Sequence, residues 1–418
     1  MLRVFKNDLR LLLKYSQLFP LCFAVFVSML GFGLVMPLMP IYARNFGATG
    51  TQLGLLTASF AITRAITTFP GGWLSDKVGR KKPITAGLLA YSIVMALYGF
   101  SQDVNQLILL RALQGVASGI VWPIISTMIV DIASPQDRSK ALGLYEMMWF
   151  LGMVVGPGLG GVFAGVFSIA VPFFVCGILA FLSMILVAFT VQETAKTITV
   201  STSRKNSKMS SQNNSIKGIK QLTPYPIVFF GLCIAQYIIA FSNSLIQPIL
   251  SVYANEVLGI SEVGVGMLFT VMGVVTLFIT LPMGTVADKT GRKPTLIFGK
   301  IMDATSAFLI IFSGSFWPLL LVMMMRGFGR AAINPSITAM FSTIVTTSKR
   351  GRCMGIFSTF QNVGLVVGAT VGGFLYEFSS SEMPFIACAL VGFIGVVIVL
   401  LMVSEPKEHP NLQLLVNP

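Results

Sequence analysis

The chain is divided into continuous apolar segments, each long enough to cross a bilayer as a helix. A crossing needs about 20 apolar residues, so a chain of this length with short turns has room for about 12. Charged residues make up only 11% of the chain, against about 25% in a soluble domain. An all-α membrane protein with 12 transmembrane helices is therefore predicted. The predicted spans are 19–41, 51–70, 83–101, 105–130, 142–165, 169–191, 227–254, 262–283, 295–314, 317–344, 353–376 and 384–403.

The form of these segments excludes two other membrane architectures. A transmembrane barrel needs short segments of alternating polarity, whereas these runs are continuously apolar. The first segment is too long and too far from the start for a cleaved signal peptide, so it is predicted as the first span.

The net charge of +14 follows the topology of the chain. Most of the Lys and Arg residues fall in the termini or in even-numbered connections, and the odd-numbered connections contain essentially Arg44 alone. Because an excess of basic residues marks the cytoplasmic face, both termini are predicted to be cytoplasmic. The distribution of charge therefore indicates a multi-pass protein of the cytoplasmic or plasma membrane. Membrane lipid is expected as a partner, and nucleic acid is not.

Few residues are available for catalysis or for holding a cofactor. The five cysteines lie in or beside apolar segments without CxxC spacing, which predicts no disulfide and no metal site. The one histidine, His409, is in the C-terminal tail, and the chain has neither an HExxH motif nor a Walker loop. No enzyme activity, no cofactor and no use of ATP are expected.

The second half of the chain repeats motifs of the first half, at a distance of about half the chain length. This repeat indicates two pseudo-symmetric six-helix bundles. "VVGPGLGG", which begins at Val154, recurs as "VVGATVGG", which begins at Val366. Between the halves, 192–226 is rich in Ser, Asn, Thr and Lys and is predicted to be a flexible cytoplasmic linker. The predicted division is residues 1–191, linker 192–226 and residues 227–418.

A glycine-rich motif follows the second predicted span and is repeated after the eighth. "GGWLSDKVGRKK" and "GTVADKTGRK" share their glycines, Asp, Lys and Arg at the same offset as the first repeat. Glycine permits the tight reversal that such a turn requires. The shared positions are Gly72, Asp76, Gly79, Arg80 and Lys81 in the first copy, and Gly284, Asp288, Gly291, Arg292 and Lys293 in the second.

With these motifs the chain resembles the major facilitator superfamily over almost its whole length. The signature G-x-x-x-D-x-x-G-R-K/R is present twice, and R-x-x-x-G occurs as Arg111 and Gly115. "GMVVGPGLGG" in the fifth span is similar to a motif of the twelve-helix drug/proton antiporters. The resemblance implies a secondary active transporter, a functional monomer, that exchanges a small-molecule substrate for protons by alternating access.

The repeated turn has two interpretations. Asp76 can accept hydrogen bonds at a helix N-terminus, where the macrodipole favours an anion, and Arg80 or Lys81 can pair with Asp131. The resemblance implies a cytoplasmic latch that is closed when the cavity faces outward and broken when it faces inward. The alternative is a basic loop that only fixes the topology.

The small residues of the fifth span also leave two interpretations open. They allow another helix to approach closely, and Pro157 frees the carbonyl of Met153 and bends the span. The resemblance implies a tightly packed seam between the halves, whereas ordinary small-residue packing needs no such role. The residues concerned are Gly152, Gly156, Pro157, Gly160 and Gly161.

Charges inside the spans are costly and mark candidates for the substrate and proton pathway. Arg326 and Arg330 share one helix face and require a carboxylate, water or a bound anion beside them. Asp303 is expected to pair with Lys300, three residues away. The resemblance gives Arg111 a place in the cavity and in proton coupling. The charges are Arg64, Arg111, Glu146, Lys300, Asp303, Arg326 and Arg330.

Glu146, a turn inside the cytoplasmic end of the fifth span, fits either a proton carrier or a half-buried gate residue. Arg111 is not an obvious partner for it, because the two are predicted to differ in depth by about 15 Å. The first and seventh spans have no Asp or Glu, unlike many exporters of lipophilic cations. The leading hypothesis is proton-coupled efflux of small, partly hydrophobic compounds. A carrier for an anionic metabolite is the alternative, because the buried charges are mostly basic.

Overall fold

The computed structural model describes residues 14–194, 225–345 and 350–404. Within these ranges the chain forms twelve long helices and no β-strand. Most of the predicted linker 192–226 lies outside the described residues. Six of the long helices precede it and six follow it.

The helices are numbered in chain order. The first six are α1 Leu18–Asn45, α2 Gly50–Val78, α3 Lys81–Tyr98, α4 Val104–Ile132, α5 Arg138–Val166 and α6 Val171–Thr190. The second six are α7 Pro226–Val252, α8 Glu262–Thr290, α9 Arg292–Leu309, α10 Phe316–Ile344, α11 Arg350–Phe378 and α12 Met383–Met402. A π-helical turn, Tyr253–Val257, continues α7, and a 3₁₀ turn, Ile310–Phe312, continues α9.

The twelve helices confirm the predicted spans, although several extend beyond the apolar runs. The second span was predicted over 51–70, but α2 continues to Val78 and ends at Gly79, whose φ is +94°. In α2, hydroxyl groups bond to the neighbouring backbone: Thr63 donates to the carbonyl of Ala112 on α4 at 2.8 Å. Ten of the helices are long and apolar enough to cross a membrane, all except α2 and α3.

The packing repeats in the two sets of helices. In the first set α1 packs on α5, α2 on α4 and α3 on α6. In the second set α7 packs on α11, α8 on α10 and α9 on α12. Each pair in the second set is the counterpart, six helices later, of a pair in the first. The internal repeat of the sequence is therefore also a repeat of the packing.

The two sets, here called the first and second halves, meet through α2 with α11, α5 with α8, and α1 with α7. The basic end of the bundle carries the α2–α3 turn at Gly79 and the end of α6. The opposite end, called the Arg44 end, carries the α1–α2 turn. Among the described residues, each hydrogen bond between the halves lies in the part nearer the Arg44 end. The halves are therefore joined at the Arg44 end.

Candidate functional site

Two polar contacts join the halves at the Arg44 end. Arg44 donates from Nε and Nη2 to Glu256 Oε1 and Oε2 at 2.7 and 2.9 Å, which is a bidentate pair. Glu377, near the end of α11, accepts from the backbone N–H of Thr51 at 2.8 Å. This contact places a carboxylate at the N-terminus of α2, where the macrodipole favours it.

The spacing of Arg44 and Glu256 is that of the internal repeat. The two residues lie 212 residues apart, and Val154 and Val366 of the repeated glycine motif are separated by the same distance along the chain. This spacing is called the repeat offset below. In the first helix of each half, however, Pro37 and Tyr42 align with Pro248 and Tyr253 at 211 residues, so the equivalent of Arg44 is Asn255 and its partner Glu256 is the next residue.

Next to these polar contacts, toward the basic end, backbone atoms of the two halves pack directly against each other. A Cβ at Gly54 of α2 would collide with the carbonyl of Ala369 on α11, and one at Gly50 would meet Gly373 and Glu377. On the other side of the bundle, Gly161 of α5 lies against Gly266 of α8. Two strips of glycine therefore let α2 meet α11 and α5 meet α8 with almost no side chain between them.

The small residues of α5 serve two different contacts, which differs from the single seam expected from the sequence. Gly152, Gly156 and Gly160 recur every fourth residue and face α1 within the first half. Gly161 faces α8 of the second half, as does the carbonyl of Pro157, which lies against Gly266. The helical period explains the division, because positions four apart share a face and the next residue turns away from it.

At the basic end, the first copy of the repeated turn is held within its own half. Arg80 Nη1 lies 2.9 Å from Asp131 Oδ2, the partner considered from the sequence. Asp76 is exposed and forms no ion pair among the described residues. A Cβ added at Gly72 would meet no atom within 4 Å. In this conformation the described contacts of the turn do not reach the second half.

Glu193, which was not singled out from the sequence, caps the helix that follows this turn. Its carboxylate accepts from the backbone N–H groups of Arg80 and Lys81 at 2.7 and 3.1 Å. A Cβ at Gly79 would collide with this carboxylate, so the turn requires glycine for space as well as for its positive φ. The sequence contained a signal: Glu405 follows Glu193 by the repeat offset, although Glu405 is outside the described residues.

The second copy of the turn is built differently. Arg292 donates to Thr343 Oγ1 at 2.6 Å and to the carbonyl of Ala339 at 3.3 Å. By the repeat offset, Thr343 is the counterpart of Asp131. Arg292 also lies 3.6 Å from Asp288, its neighbour on the preceding helix turn. The two turns therefore hold their equivalent arginines with different partners.

The remaining residues of the second copy also make contacts within their own half or face open space. Lys293 donates to the carbonyl of Leu400 at 2.9 Å. Gly284 faces open space, and Gly291 has a φ of +105°. The positive φ at Gly291 matches that at Gly79, so glycine is required at this position in both copies.

Inside the first half, Arg111 is buried and is paired with neutral groups. Its Nη1 donates to Gln114 Oε1 at 2.7 Å and its Nε donates to the carbonyl of Leu56 at 3.3 Å. Tyr98 donates to the same Gln114 oxygen at 2.9 Å. The guanidinium lies 4.8 Å from the centre of the Phe60 ring. Arg111 also borders a narrow cavity between the halves, together with Val35, Met36, Met39, Pro40, Leu56, Thr57, Gln247 and Pro248.

Arg64 and Glu146 occupy less enclosed positions in the first half. The guanidinium of Arg64 lies 4.6 Å from the centre of the Trp122 ring, which is a cation–π contact. Glu146 is exposed, and no ion pair involves it among the described residues. The structure does not bring Glu146 to Arg111, in agreement with the difference in depth expected along their helices.

Inside the second half, Asp303 lies between two arginines. Arg326 Nε is 3.5 Å and Arg330 Nε is 4.0 Å from Asp303 Oδ1. Asn243 of α7, which the sequence reasoning missed, accepts from Arg330 Nη2 at 2.7 Å and from Arg326 Nη2 at 3.5 Å. Of the alternatives for neutralising the two arginines, the structure supplies a carboxylate.

The pairing of Asp303 with Lys300 expected from the sequence is wrong. Both residues are buried, at 9% and 4% exposure, but their side chains point to different neighbours. Lys300 packs against α12, where a Cβ at Gly395 would lie 2.9 Å from its Nζ. No ion pair involves Lys300 among the described residues. Residues three apart on a helix can pair, but here the α10 arginines offer Asp303 the stronger partner.

The described residues contain no group of three or more His, Cys, Asp or Glu side chains that could hold a metal. The five cysteines are all buried as free thiols. What the interior offers is therefore charge and hydrogen bonding: Arg111 in the first half, and Asp303 with Arg326 and Arg330 in the second.

A polytopic helical protein with two like halves and buried charges between its spans has the architecture of a membrane transporter. A family model described as Major Facilitator Superfamily matches residues 21–241 and 232–415. The chain belongs to the Major Facilitator Superfamily and is a multi-pass integral membrane protein of this transporter family.

Similar proteins include two with names that refer to drug resistance. The chain is 29% identical over 387 residues to multidrug resistance protein 2 of Bacillus subtilis, covering 92% of this chain and 94% of that protein. It is 28% identical over 401 residues to quinolone resistance protein NorA of Staphylococcus aureus, covering 94% and 97%.

Among solved structures, the fold is similar to a bacterial homolog of the human lysosomal transporter Spinster in its inward-facing and occupied conformation. The TM-score is 0.75 at 15% identity, covering 92% of this chain and 96% of that one. At this identity the likeness shows the fold alone.

Proposed function

We propose that this protein is a proton-coupled exporter of small, partly hydrophobic compounds that works by alternating access. The observation that carries the proposal is the one-sided contact between the halves, which are joined at the Arg44 end and hold buried charges beneath that closure. The names of the two similar resistance proteins support drug-like compounds as substrates.

The basic end faces the cytoplasm in this proposal, with both chain termini on that side of a plasma membrane. An excess of Lys and Arg marks the cytoplasmic side, and the α2–α3 turn carries Lys77, Arg80, Lys81 and Lys82. The structure is then the inward-facing state, open to compounds in the cytoplasm. The halves 1–191 and 227–418 move as two units joined by 192–226, within one functional monomer.

Opening to the outside requires the Arg44 contacts to break and the basic ends to approach. Asp76 and Asp288 are exposed in the present state, so each is available to a helix end of the opposite half after closure. The Arg80–Asp131 pair holds the shape of the first turn throughout. This assigns a latch to the repeated motif, as the family resemblance implies.

Two carboxylates inside the spans are the proton carriers in this proposal. Glu146 is exposed toward one end of α5, and Asp303 is buried between Arg326 and Arg330. A proton on Asp303 would remove the only negative charge beside the two arginines among the described residues. Proton binding at this position therefore changes how the second half holds a substrate.

Substrate-driven proton movement tests the function directly. The full chain is reconstituted in liposomes with a pH-sensitive dye inside, a proton gradient is imposed, and ethidium, a neutral amphiphile or an organic anion is added. The proposal expects proton movement that depends on the added compound and is lost in Glu146→Gln or Asp303→Asn.

Glu382→Gln is the matched control, because Glu382 is an exposed carboxylate at the Arg44 end. Each variant is first checked for a single, folded species by size-exclusion chromatography. If both span variants kept full proton movement, the assignment of the carriers would be wrong. If no compound moved protons in the unmodified protein, proton-coupled export itself would be rejected.

A further inference from the structure

The interior of the second half has more positive than negative charge. Asp303 is the one buried carboxylate among the described residues of α7–α12, and it lies beside Arg326 and Arg330. Lys300, also buried, lies one helix turn away on α9. Burying charge is costly unless opposite charge compensates it. One carboxylate cannot compensate two guanidinium groups and an ammonium group.

The hydrogen bonding of the two arginines is also incomplete. Arg326 Nη1 and Arg330 Nε are buried, and neither has a hydrogen-bond partner in the described part of the chain. Asn243 supplies a single oxygen that is shared by both side chains. A guanidinium has five N–H donors and no acceptor, so this pair has donors to spare. Asp303 Oδ1, the carboxylate oxygen nearest to them, is also buried without a hydrogen bond, so the donors of the two arginines remain available to a further acceptor.

One arginine of the cluster is partly exposed, and its partner Asn243 lies near the cavity between the halves. The side chain of Arg326 is 1% exposed, whereas that of Arg330 is 20% exposed. Asn243 lies one helix turn from Gln247, which borders the cavity that Arg111 also borders. Residues four apart share a helix face, so Asn243 lies on the same side of α7 as Gln247, and Arg330 donates to Asn243 at 2.7 Å. The accessible part of the cluster is therefore Arg330.

We propose that Arg330 binds a carboxylate group of the transported compound, with Arg326 and Asn243 holding it in place. This inference rests on the proposed transport function and specifies its substrate class as amphiphiles with a carboxylate. A guanidinium matches a carboxylate in two parallel hydrogen bonds. With Asp303 and the substrate both present, two negative charges face the two arginines.

A matched pair of fluorescent compounds tests the assignment. The purified full chain in nanodiscs is titrated into 1-pyrenebutyric acid and into 1-pyrenebutyramide, and fluorescence polarisation gives the two affinities after subtraction of empty nanodiscs. We expect the acid to bind at least about tenfold more tightly, as a charged hydrogen-bonded contact would give. In Arg330→Gln the acid and the amide should bind equally, and Arg330→Lys should keep part of the preference.

Arg352→Gln is the matched control, since Arg352 is an exposed arginine at the basic end of α11, and it should leave the preference intact. Equal binding of acid and amide to the unmodified protein would overturn the assignment, as would a preference that survives in Arg330→Gln. Inorganic phosphate is titrated in parallel. Displacement of the acid by phosphate at comparable concentration would show a general anion site and would also overturn it.

The outcomes separate this inference from the proposed export function. A preference for the acid without proton movement in liposomes would keep the carboxylate site and reject proton coupling. Proton movement with ethidium but no preference for the acid would keep the exporter and reject the carboxylate site.

Discussion

The two halves of this protein place polar groups at equivalent buried positions but fill them differently. By the repeat offset, Asp303 and Arg326 of the second half correspond to Tyr91 and Gln114 of the first. In the second half the two groups form an ion pair at 3.5 Å, and in the first half Gln114 Nε2 and the Tyr91 hydroxyl lie 3.5 Å apart as neutral groups. The same backbone geometry therefore carries charge in one half and neutral hydrogen bonds in the other.

The difference shows how a duplicated fold can divide its tasks. Arg111, the buried cation of the first half, is held by the oxygens of Gln114 and Leu56 and has aromatic rings beside it. Arg326 and Arg330 share one carboxylate and keep unpaired donors. The buried arginines of the second half are therefore less completely paired than Arg111 of the first half. The predictions below test this contrast.

The largest effect is expected for Asp303→Asn. Removing the carboxylate leaves two buried guanidinium groups without compensation, which costs about 3–5 kcal/mol. Tyr91→Phe, at the equivalent position, removes the hydrogen bond to the carbonyl of Ser28 and the long contact with Gln114 Nε2, and costs about 1 kcal/mol. Thermal unfolding of both purified variants measures the difference. Equal losses of stability would show that the halves do not differ in this way.

Introducing the charged pair of the second half at the equivalent positions of the first half tests the same comparison. Gln114→Arg alone places a second buried cation beside Arg111 and should destabilise the first half. Tyr91→Asp alone buries a carboxylate there. Combined, they reproduce the Asp303–Arg326 pair, so the double variant should be more stable than the sum of the single variants by about 2 kcal/mol. Additive effects in unfolding experiments would contradict the equivalence of the two positions.

Breaking the contact at the Arg44 end should shift the conformational equilibrium. Arg44 and Glu256 are 33% and 34% exposed, so their pair contributes about 1 kcal/mol at most. Glu256→Gln should therefore raise the outward-open population by up to about fivefold.

The readout for this shift is labelling of Gln247→Cys with a membrane-impermeant maleimide applied from the Arg44 side. The five native cysteines are buried and contribute little background. Glu382→Gln serves as the control with an exposed carboxylate at the same end. Unchanged labelling in Glu256→Gln would exclude the pair as a brace between the halves.

A smaller effect is expected where the two repeated turns differ. Arg80 pairs with Asp131, whereas Arg292 meets Thr343 at the equivalent position. Asp131→Asn should cost about 0.5 kcal/mol, since the pair is partly exposed, and high salt should reduce the cost. Thr343→Asp should stabilise the second turn by a similar amount. Unfolding midpoints at low and high salt check both. A stabilising Asp131→Asn or a destabilising Thr343→Asp would contradict the comparison.

The smallest effect is expected in the stability of the protein at acid pH, through Asp137 at the start of α5. Lys14 donates to Asp137 at 2.7 Å and, with Tyr15, lowers the pKa of Asp137 to about 2. The carboxylate therefore stabilises the fold above its unfolded pKa of about 3.9, and this is lost as the pH falls toward about 2. The equivalent position by the repeat offset is Lys349, outside the described residues. In Asp137→Asn the unfolding midpoint should depend less on pH in that window.

The sequence predicted the helices well because the bilayer sets their length and composition. Apolar runs located all twelve helices, ten of which are apolar enough to span a membrane, and the repeated motifs predicted two like halves. Helix ends were harder to predict, because residues such as Ser75 and Lys77 continue α2 beyond its apolar run. Their positions depend on the turn at Gly79 and on packing.

The site was harder to predict because its partners come from distant helices. Spacing along α9 suggested Lys300 for Asp303, but the structure brings Arg326 and Arg330 from α10 to it. Asn243 and Glu193 are common polar residues, and nothing local marks them. Applying the repeat offset to every charged residue would have linked Glu193 with Glu405.

The glycine strips between α2 and α11 and between α5 and α8 have a consequence for how this protein can evolve. At Gly54 and Gly161 no larger side chain fits, so the moving surfaces tolerate few changes. Arg330 and Asn243, which we propose hold the substrate, lie on α10 and α7, outside those strips. In this proposal new specificities can arise by substitution in the interior while the glycine strips remain unchanged.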